Sequence, residues 1–369
     1  MMNQYQPIPV HWFFDPSIYQ LEKEYIFKQS PQYVGHQLMV PNLNDYYVLK
    51  RSNNTEMLIH HQDGISLLSN ICRHRQALLL SDSGNIKRIR CPIHSWSYNI
   101  QGELIHAPQF EQIPCLNLKK DYVSEWNGLL FRGNNKIEGD TIDTKAYTVL
   151  DFSDYVFAQS RHQCHSFNWK IFMEVFLDDY HIPFFHNGLR KLVDVRELEW
   201  TLDDTYSIQY VGIQSDLTKS GSANFKTYQY ELLAQAKNEL PRYGAVWMAY
   251  YPNIMIEYYP YMLVISTVSP ISIEQCINIV EFFHPKDIWL SNPSLCAAAQ
   301  AAYLETAQED EEICLKIHQG RKGLHEQGED QSGPYQPVLE AALPTFYNFL
   351  LEKIKKKNNE GLLTIHRGT

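Results

Sequence analysis

Two short Cys–His pairs constrain the fold of this chain more than any other feature of its sequence. Cys72 and His74 are separated by one residue, Cys91 and His94 by two, and sixteen residues lie between the pairs. Thiolates and imidazoles at such short spacings are typical metal ligands, and the loop-sized gap allows two neighbouring loops to supply all four. The sequence therefore predicts a small domain that is built around a metal site.

Two thiolates and two imidazoles form the ligand set of a Rieske [2Fe–2S] cluster, in which one iron takes both Cys and the other both His. A structural zinc site is the alternative, but zinc sites usually open with Cys-x2-Cys and close with His-x3–5-His, whereas both pairs here are mixed. Pro92 would stiffen the second loop, and Gly102 is typical of a turn between strands. The predicted cluster ligands are Cys72, His74, Cys91 and His94.

A second set of candidate ligands follows an apolar segment. From Trp169 onward, apolar side chains recur at helical spacing, so a helix is predicted that continues far enough to place Asp178 and His181 on one face. Pro183 is predicted to end this helix, because proline lacks a backbone N–H and disfavours helix in the residue before it. His186 would then lie just beyond the helix end, where it can turn back toward His181.

These two histidines are candidate ligands of a mononuclear iron. Two imidazoles and one carboxylate on one face of an iron form the facial triad of non-haem Fe(II) oxygenases, which leaves positions open for O2. A single His in an aromatic-rich segment is more often a packed core residue. His181 and His186, however, bracket a proline, have acids beside them and share the chain with a predicted cluster. These features favour a metal site.

Both motifs resemble those of the Rieske non-haem iron oxygenase alpha subunits, in the aromatic ring-hydroxylating dioxygenase superfamily. The matching cluster loops are residues 70–75 and 91–98, and the second motif matches the family's spacing of Asp, two residues, His, four residues, His. The resemblance covers almost the whole chain. Residues 168–170 and 308–314 make it nearest to choline monooxygenase-like members, with the ring-hydroxylating dioxygenases of aromatic hydrocarbons as the close alternative.

The resemblance implies a role for each residue of the second motif. His181 and His186 would bind the mononuclear iron, and Asp178 would bridge by hydrogen bonds to a cluster His of a neighbouring subunit. The family takes its carboxylate ligand from a late helix, and alignment points to Asp310, with Glu309 as the alternative. A solvated acidic face is the other interpretation of the acids around these two residues.

The expected fold class is α+β, with a small all-β Rieske domain inserted before a helix-grip catalytic domain of antiparallel sheet and helices. Residues 1–35 would form an N-terminal arm that packs on the catalytic domain, 36–150 the Rieske domain and 151–369 the catalytic domain. Short strands separated by turn residues support the second span. Two late helices are expected over about 294–319 and 337–357, with glycines between them.

The resemblance also implies an activity. The chain would be a terminal oxygenase that uses O2, and electrons from NAD(P)H through a ferredoxin or flavin reductase, to hydroxylate or oxidatively demethylate a small organic substrate such as a quaternary amine. Aromatic ring dihydroxylation is the alternative within the enzyme class. A Rieske electron-transfer protein without oxygenase activity is the alternative of another class, which has no need of the triad. A homotrimer is expected, because electrons in this family cross a subunit boundary.

The substrate is not evident from the sequence. Aromatic residues are dense between positions 243 and 261 and could form a cation–π cage for a quaternary ammonium, although strand and core positions are their usual place. Glu257 or Glu281 could balance a cation. The seven aromatic candidates are Tyr243, Trp247, Tyr250, Tyr251, Tyr258, Tyr259 and Tyr261.

Composition excludes several other classes. A net charge of −10 makes nucleic acid an unsuitable partner. The sequence has no apolar run long enough for a membrane helix, and its first residues lack the layout of a signal peptide. Five of the seven Cys lie outside the cluster motifs and are scattered, so free thiols and a reducing cytoplasm are expected.

Overall fold

The computed structural model describes residues 7–139, 142–236 and 239–358. They form two compact units. The large unit comprises the described residues of Met1–Gln29 and Ile142–Thr369, and the β unit comprises those of Ser30–Thr141. The first six residues of the predicted N-terminal arm lie outside the described residues.

The β unit begins six residues and ends nine residues before the Rieske domain expected from the sequence, and the expected domain boundaries remain predictions. Residues from Ser30 on join the β unit because Tyr33–His36 is a strand that pairs with Leu129–Arg132. Thr144–Val149 is a helix of the large unit.

Among the described residues, the β unit consists mainly of short antiparallel strands, and its 3₁₀ turns include Gln37–Met39 and Lys50–Ser52. Its strands form three sheets with the orders β1-β11-β10, β5-β2-β3-β4-β9 and β6-β7-β8. The strands are β1 (Tyr33–His36), β2 (Asp45–Val48), β3 (Glu56–His61), β4 (Gly64–Ser69), β5 (Ser83–Asn85), β6 (Ile89–Arg90), β7 (Ser97–Tyr98), β8 (Leu104–His106), β9 (Lys120–Asp121), β10 (Val123–Trp126) and β11 (Leu129–Arg132). One apolar core joins the second and third of these sheets, and it contains Cys72 and Cys91.

His36, at the end of β1, is a fully buried histidine that must stay neutral. Its Nδ1 accepts a hydrogen bond from the N–H of Leu38 (3.1 Å), so its proton sits on Nε2, which lies 3.3 Å from the carbonyl oxygen of Asn127. Gly128 leaves space for the ring, because a Cβ there would lie 2.4 Å from Nε2. Burial lowers the pKa of His36 from 6.5 to about 3, although the bond to Asn127 acts in the opposite direction.

We expect the free energy of unfolding of the β unit to fall as the pH drops from 6.5 toward 3. The unfolded chain binds a proton at His36 throughout this window whereas the folded chain does not, so this group removes up to about 1.4 kcal/mol per pH unit. Urea unfolding of the wild type and His36→Gln at several pH values measures the effect. Glutamine supplies a donor and an acceptor without titrating, so its pH dependence should be shallower. Equal slopes would assign the acid sensitivity to other groups.

The large unit is built on one antiparallel sheet with the strand order β12-β18-β17-β16-β15-β14-β13. Its strands are β12 (Tyr155–His165), β13 (Val193–Leu202), β14 (Tyr206–Ile213), β15 (Tyr243–Tyr250), β16 (Ile254–Tyr259), β17 (Met262–Ser272) and β18 (Gln275–Pro285). The central strands are buried on both faces, because helices cover the sheet.

Eight α-helices accompany this sheet in the described part of the chain. They are α1 (Pro16–Leu21), α2 (Thr144–Val149), α3 (Trp169–Phe176), α4 (Ile182–Phe185), α5 (Ala223–Ala236), α6 (Lys286–Ser291), α7 (Pro293–Glu326) and α8 (Leu343–Asn358). A π-helical turn, Glu22–Phe27, follows α1, and Val10–Phe13 and Leu189–Lys191 are 3₁₀ turns. Apolar residues of the N-terminal segment pack with α3 and α8 in one core, and α5 and α7 pack in a second. No described helix meets the length and apolarity that crossing a membrane requires.

The helix α7 is longer than the sequence predicts. It begins at Pro293. The preceding residue, Asn292, caps the helix, because its side chain accepts a hydrogen bond from the backbone N–H of Leu295 in the first turn. The expected end near residue 319 is wrong, because helix continues through Gly320 and Gly323. Glycine weakens a helix by about 1 kcal/mol without ending it. The chain leaves the helix near Gly328, whose φ of +76° suits glycine.

Candidate metal centres

The two Cys–His pairs come together in the β unit. The Cys72 and Cys91 side chains are buried in its core, whereas the His74 and His94 rings lie nearer the surface, with 4.6 Å between their centroids. The His74 ring stacks on Trp96 at a centroid distance of 4.9 Å. The site therefore has two buried thiols on its inner side and two imidazoles on the side nearer the surface.

The two loops have the same local geometry. The N–H of Gln76 donates to the carbonyl of Cys72 and the N–H of Ser95 donates to that of Cys91, both at 3.1 Å. Gln76 and Ser95 both have positive φ, 55° and 62°, so each loop turns sharply four residues after its Cys. Because both loops contain the same turn, their Cys–His pairs face each other.

The donors of this site fit a [2Fe–2S] cluster. The Tyr98 hydroxyl accepts the N–H of Arg73 (3.0 Å) and lies 3.5 Å from Cys72 Sγ, to which its proton can be donated. Burial raises the pKa of the Cys91 thiol, while nearby backbone N–H groups of the loop act against that shift. Hydrogen bonds to sulfur are one of the means by which a protein sets a cluster's potential. His74 Nδ1 is buried and has no hydrogen-bond partner among the described residues.

The second motif lies between two helices and not on one continuing helix, so that prediction is wrong. Helix α3 ends before Asp178, whose Oδ1 accepts the N–H of Tyr180 (2.6 Å) and that of His181 (3.3 Å). Side chains that bond to nearby backbone in this way compete with helix. Pro183 also does not end a helix. It lies in the first turn of α4, where its missing N–H has no intrahelical partner to lose.

His181, His186 and Asp310 meet in the large unit. The Nε2 atoms of the two histidines are 2.9 Å apart, and Asp310 Oδ1 lies 3.0 Å from His186 Nε2 and 3.4 Å from His181 Nε2. Three facial ligands with bonds of about 2.1 Å lie about 3 Å from one another, so this spacing fits a metal ion. Asp310 Oδ1 is also buried without a hydrogen-bond partner in the described part of the chain.

The outer nitrogens of both histidines face carboxylates. His186 Nδ1–H donates to Glu309 Oε2 at 2.7 Å, and His181 Nδ1 lies 3.1 Å from Asp178 Oδ2. Such contacts fix the orientation of metal-binding histidines. Glu309 and Asp310 are consecutive on α7, yet Glu309 faces the outer edge of one ring whereas Asp310 faces the inner nitrogens of both.

The electrostatics of this group favour a bound cation. Burial disfavours a charged His181, but the nearby carboxylates of Asp178 and Asp310 outweigh it and raise the pKa of His181 to about 10. Burial raises the pKa of Asp310, whereas the two histidines lower it more strongly, to about 2. The carboxylates thus attract positive charge to the space between the inner nitrogens, where a divalent metal would supply it. The neighbouring Asp179 is fully buried, and burial raises its pKa well above the usual value.

A cavity opens in front of these three residues. Its other lining residues are Gln163, His165, Phe167, Phe172, Val175, Phe176, Asp178, Asp179, Ile182, Leu189, Trp247, Glu257, Tyr259, Ser266, Asn278, Tyr303, Thr306, Ala307, Glu311 and Cys314. Of the aromatic candidates, Trp247 and Tyr259 line it, and of the two acids considered as cation partners, Glu257 does. The other candidates are absent from its lining.

Sequence reasoning predicted Asp310 of α7 as a site residue but missed the other residues of this helix that line the cavity. Tyr303, Thr306, Ala307 and Asp310 recur at spacings of three and four, so they share the helix face that meets the cavity. That spacing was visible in the sequence. What was missing was any indication that this face meets a cavity rather than the core.

Comparison with known families decides the class of protein. The family described as "Ring hydroxylating alpha subunit (catalytic domain)" matches residues 152–356, more than half of the chain, and "Rieske [2Fe-2S] domain" matches residues 30–117. The chain belongs to the Rieske oxygenase alpha subunits. The expected fold class, a Rieske domain followed by a catalytic domain of mixed sheet and helix, is thereby confirmed.

Individual relatives of this Rieske oxygenase include enzymes that are named for amines. It is 42% identical over 343 residues to putrescine 2-hydroxylase of Ralstonia nicotianae, covering 93% of this chain and 94% of that one. It is 24% identical over 370 residues to chloroplastic choline monooxygenase of Beta vulgaris, covering 94% and 77%. Among solved structures, a quaternary ammonium Rieske monooxygenase linked to carnitine oxidation by gut microbiota has a TM-score of 0.74 at 18% identity, covering 94% of both chains.

Membership of the family confirms the expected class of enzyme and its cofactors. The oxygenase is an oxidoreductase that combines a [2Fe–2S] cluster with a mononuclear non-haem iron, uses O2 and receives electrons that originate from NAD(P)H. It acts on a small substrate and depends on an electron-transfer partner. A simple electron carrier would not need the catalytic domain that the family comparison identifies.

Proposed function

We propose that this chain is the terminal oxygenase of a system that hydroxylates a carbon of a small aliphatic amine, with putrescine as the first candidate. The observation that carries this proposal is the 42% identity to a putrescine 2-hydroxylase over 93% of the chain, against 24% for a choline monooxygenase. A substrate without a quaternary nitrogen is therefore favoured over the quaternary amine that the sequence suggested.

The cavity supports an amine whose polar and apolar parts are separated. The lining includes the apolar side chains of Phe172, Phe176 and Leu189, against which a methylene chain could pack. The same lining also contains an acidic group, the carboxylate of Glu257, which would attract the amine nitrogen. An aromatic hydrocarbon has no group that such a carboxylate would bind, which weighs against ring dihydroxylation.

The proposed metal ligands are those that the motifs predict. The cluster ligands are Cys72, His74, Cys91 and His94, and the ligands of the mononuclear iron are His181, His186 and Asp310. The distances between the inner atoms of the triad support this assignment, and the contact of Glu309 with the outer nitrogen of His186 supports Asp310 over Glu309 as the carboxylate ligand.

The residues around the triad have separate tasks in this proposal. Asp178 and Glu309 hold the outer nitrogens of His181 and His186, so that the inner nitrogens stay directed at the metal position beside Asp310. A bound iron would supply the activation of O2. The cavity residues would hold the substrate carbon beside the triad.

Electron delivery is proposed to cross a subunit boundary. The enzyme would be a cyclic homotrimer in the cytoplasm, reduced by a ferredoxin or flavin reductase, in which a cluster His of one subunit faces Asp178 of its neighbour. Two features support this proposal: the exposed ring of His94, and the contact of Asp178 with His181 at 3.1 Å. Asp179 is buried and makes no such contact.

Product analysis tests the proposal directly. Purified enzyme, a reductase, NAD(P)H and isotopically labelled O2 are incubated with putrescine, choline, carnitine or naphthalene. A carbon-hydroxylated diamine with one labelled oxygen atom is the expected product. A doubly labelled cis-diol from naphthalene would support the dioxygenase alternative, and demethylation or oxidation of choline or carnitine would support a quaternary substrate. NAD(P)H consumption without any oxygenated product would contradict all three.

A further inference from the structure

Glu257 on β16 is a buried carboxylate in the wall of the cavity that contains the triad. Only 3% of the residue is exposed. The Tyr259 hydroxyl donates to its Oε2 at 2.9 Å and the Tyr303 hydroxyl to its Oε1 at 3.0 Å. A carboxylate oxygen can accept more than one hydrogen bond, so two phenols fix the group without exhausting its acceptors.

This carboxylate has no cationic partner among the residues that the structure describes. Two other buried glutamates do have one: Glu22 lies 2.5 Å from Lys170 Nζ, and Glu174 lies 2.5 Å from an Arg321 nitrogen. Buried charges in proteins are normally paired, because an isolated one is costly to remove from water. An acid in a ligand cavity that lacks a protein cation is suited to a cation from the ligand.

The surroundings of Glu257 suit an ammonium group. Its cross-strand neighbours are Trp247 on β15 and Val264 on β17, and neither side chain ionises. The centroid of the Tyr259 ring lies 6.2 Å from that of Trp247 and 5.7 Å from that of Tyr303. Aromatic faces attract cations. Burial raises the pKa of Glu257 to about 7, and a bound cation would favour its ionised form.

Glu311, the other glutamate in the lining, has a different environment. His165 Nδ1 lies 2.9 Å from its Oε1, and the side-chain amides of Gln163 and Gln308 donate to its Oε2 at 2.8 and 3.0 Å. Its acceptors are largely occupied by protein groups. Glu257 is therefore the carboxylate with more capacity for a ligand.

Helix α7 relates this carboxylate to the triad. Tyr303, which holds Glu257, and Asp310 lie on one face of the helix, two turns and about 10 Å apart along its axis. A molecule that contacts both Glu257 and the triad would extend along this face of the helix. That extended shape suits a carbon chain with a terminal nitrogen, with the reacting carbon away from the bound nitrogen.

We propose that Glu257 binds a terminal ammonium group of the substrate, and that it selects amines with N–H donors over quaternary ammonium compounds. Its open acceptors need N–H donors, which a quaternary nitrogen lacks. Tyr259 and Tyr303 are positioning residues that fix the carboxylate. This inference rests on the proposed amine hydroxylase function and adds to it the residue that recognises the amine.

The test measures substrate affinity in the holoenzyme and its Glu257→Gln variant. Glutamine keeps the shape of the side chain and removes its charge. Anaerobic calorimetric titration with putrescine should give a Kd increased by about 10- to 100-fold, and KM should rise with it, as expected for loss of a charge-assisted hydrogen bond. Weak binding of 1,4-butanediol, the neutral analogue, should stay unchanged. Iron content and the cluster spectrum serve as folding controls.

Two further variants keep the test decisive if Glu257→Gln folds poorly. Tyr303→Phe removes one phenol and should raise the putrescine Kd by about 3- to 10-fold, and Glu257→Asp should bind more tightly than Glu257→Gln. Unchanged putrescine affinity in metal-replete variants overturns the role of Glu257 while the amine hydroxylase proposal stands. A wild type that neither binds nor hydroxylates any amine overturns the proposed function itself.

Discussion

In an Asp310→Ala variant, hydroxylation should fall at least about a thousandfold, because several kcal/mol of metal-dependent stabilisation are lost with the iron. Asp310 supplies the only carboxylate oxygen that lies within 3.4 Å of both inner His nitrogens among the described residues. The [2Fe–2S] cluster lies in the other unit and should remain. The mononuclear iron per cluster should therefore drop from one to none, while the EPR signal of the reduced cluster persists.

Glu309→Ala is the matched control, because it removes the adjacent acid from the same helix. Within the described part of the chain, the hydrogen bond of Glu309 is to the outer nitrogen of His186, so its loss should weaken iron binding by about 10- to 100-fold, and excess Fe(II) should restore turnover. The reverse pattern, with turnover retained in Asp310→Ala and iron lost beyond rescue in Glu309→Ala, would make Glu309 the ligand.

The second large effect is expected for Asp178→Asn. Oδ1 can still accept the two backbone N–H groups, but an amide nitrogen in place of Oδ2 cannot accept a proton from His181 Nδ1. We expect both metal centres to remain filled while steady-state turnover falls on the order of a hundredfold, since the proposed bridge between subunits is interrupted. Stopped-flow absorbance should show that the reduced cluster is oxidised correspondingly slowly when O2 and substrate are added.

Asp179→Asn provides the comparison for this variant. Asp179 is adjacent in sequence and fully buried, and its Oδ2 has no hydrogen-bond partner in the described residues. An asparagine of the same shape should therefore change the rate of cluster oxidation by only a few fold. Equal slowing in the two variants would show that Asp178 acts through local packing and not as a bridge.

The metal motifs were accessible to sequence reasoning because their spacing is local. The Cys72–His74 and Cys91–His94 pairs each fit within one turn, and His181 and His186 are five residues apart. Asp310 is more than a hundred residues further on, so only resemblance to a family could connect it to them. The class of enzyme and its cofactors could be predicted from these few positions.

Other features depend on tertiary structure and were missed. The break after α3 arises because Asp178 bonds to backbone N–H groups, which apolar periodicity cannot reveal. Helix α7 continues through Gly320 and Gly323, and Arg321 between them forms an ion pair with Glu174 of α3, which is distant in sequence. The carboxylate of Glu257 meets the hydroxyl of Tyr303, forty-six positions away, only because β16 and α7 cross the same cavity.

One helix, α7, carries both Tyr303, whose hydroxyl donates to Glu257, and Asp310, the carboxylate of the triad. Successive turns of this helix are about 5.4 Å apart, so the positions of its side chains along the cavity are fixed relative to one another. Under the proposed role of Glu257, a substitution at Tyr303 would alter how the amine end of the substrate is held and would leave Asp310, two turns further along, in place. Substrate recognition and metal binding would then diverge separately in evolution, although one helix contributes to both.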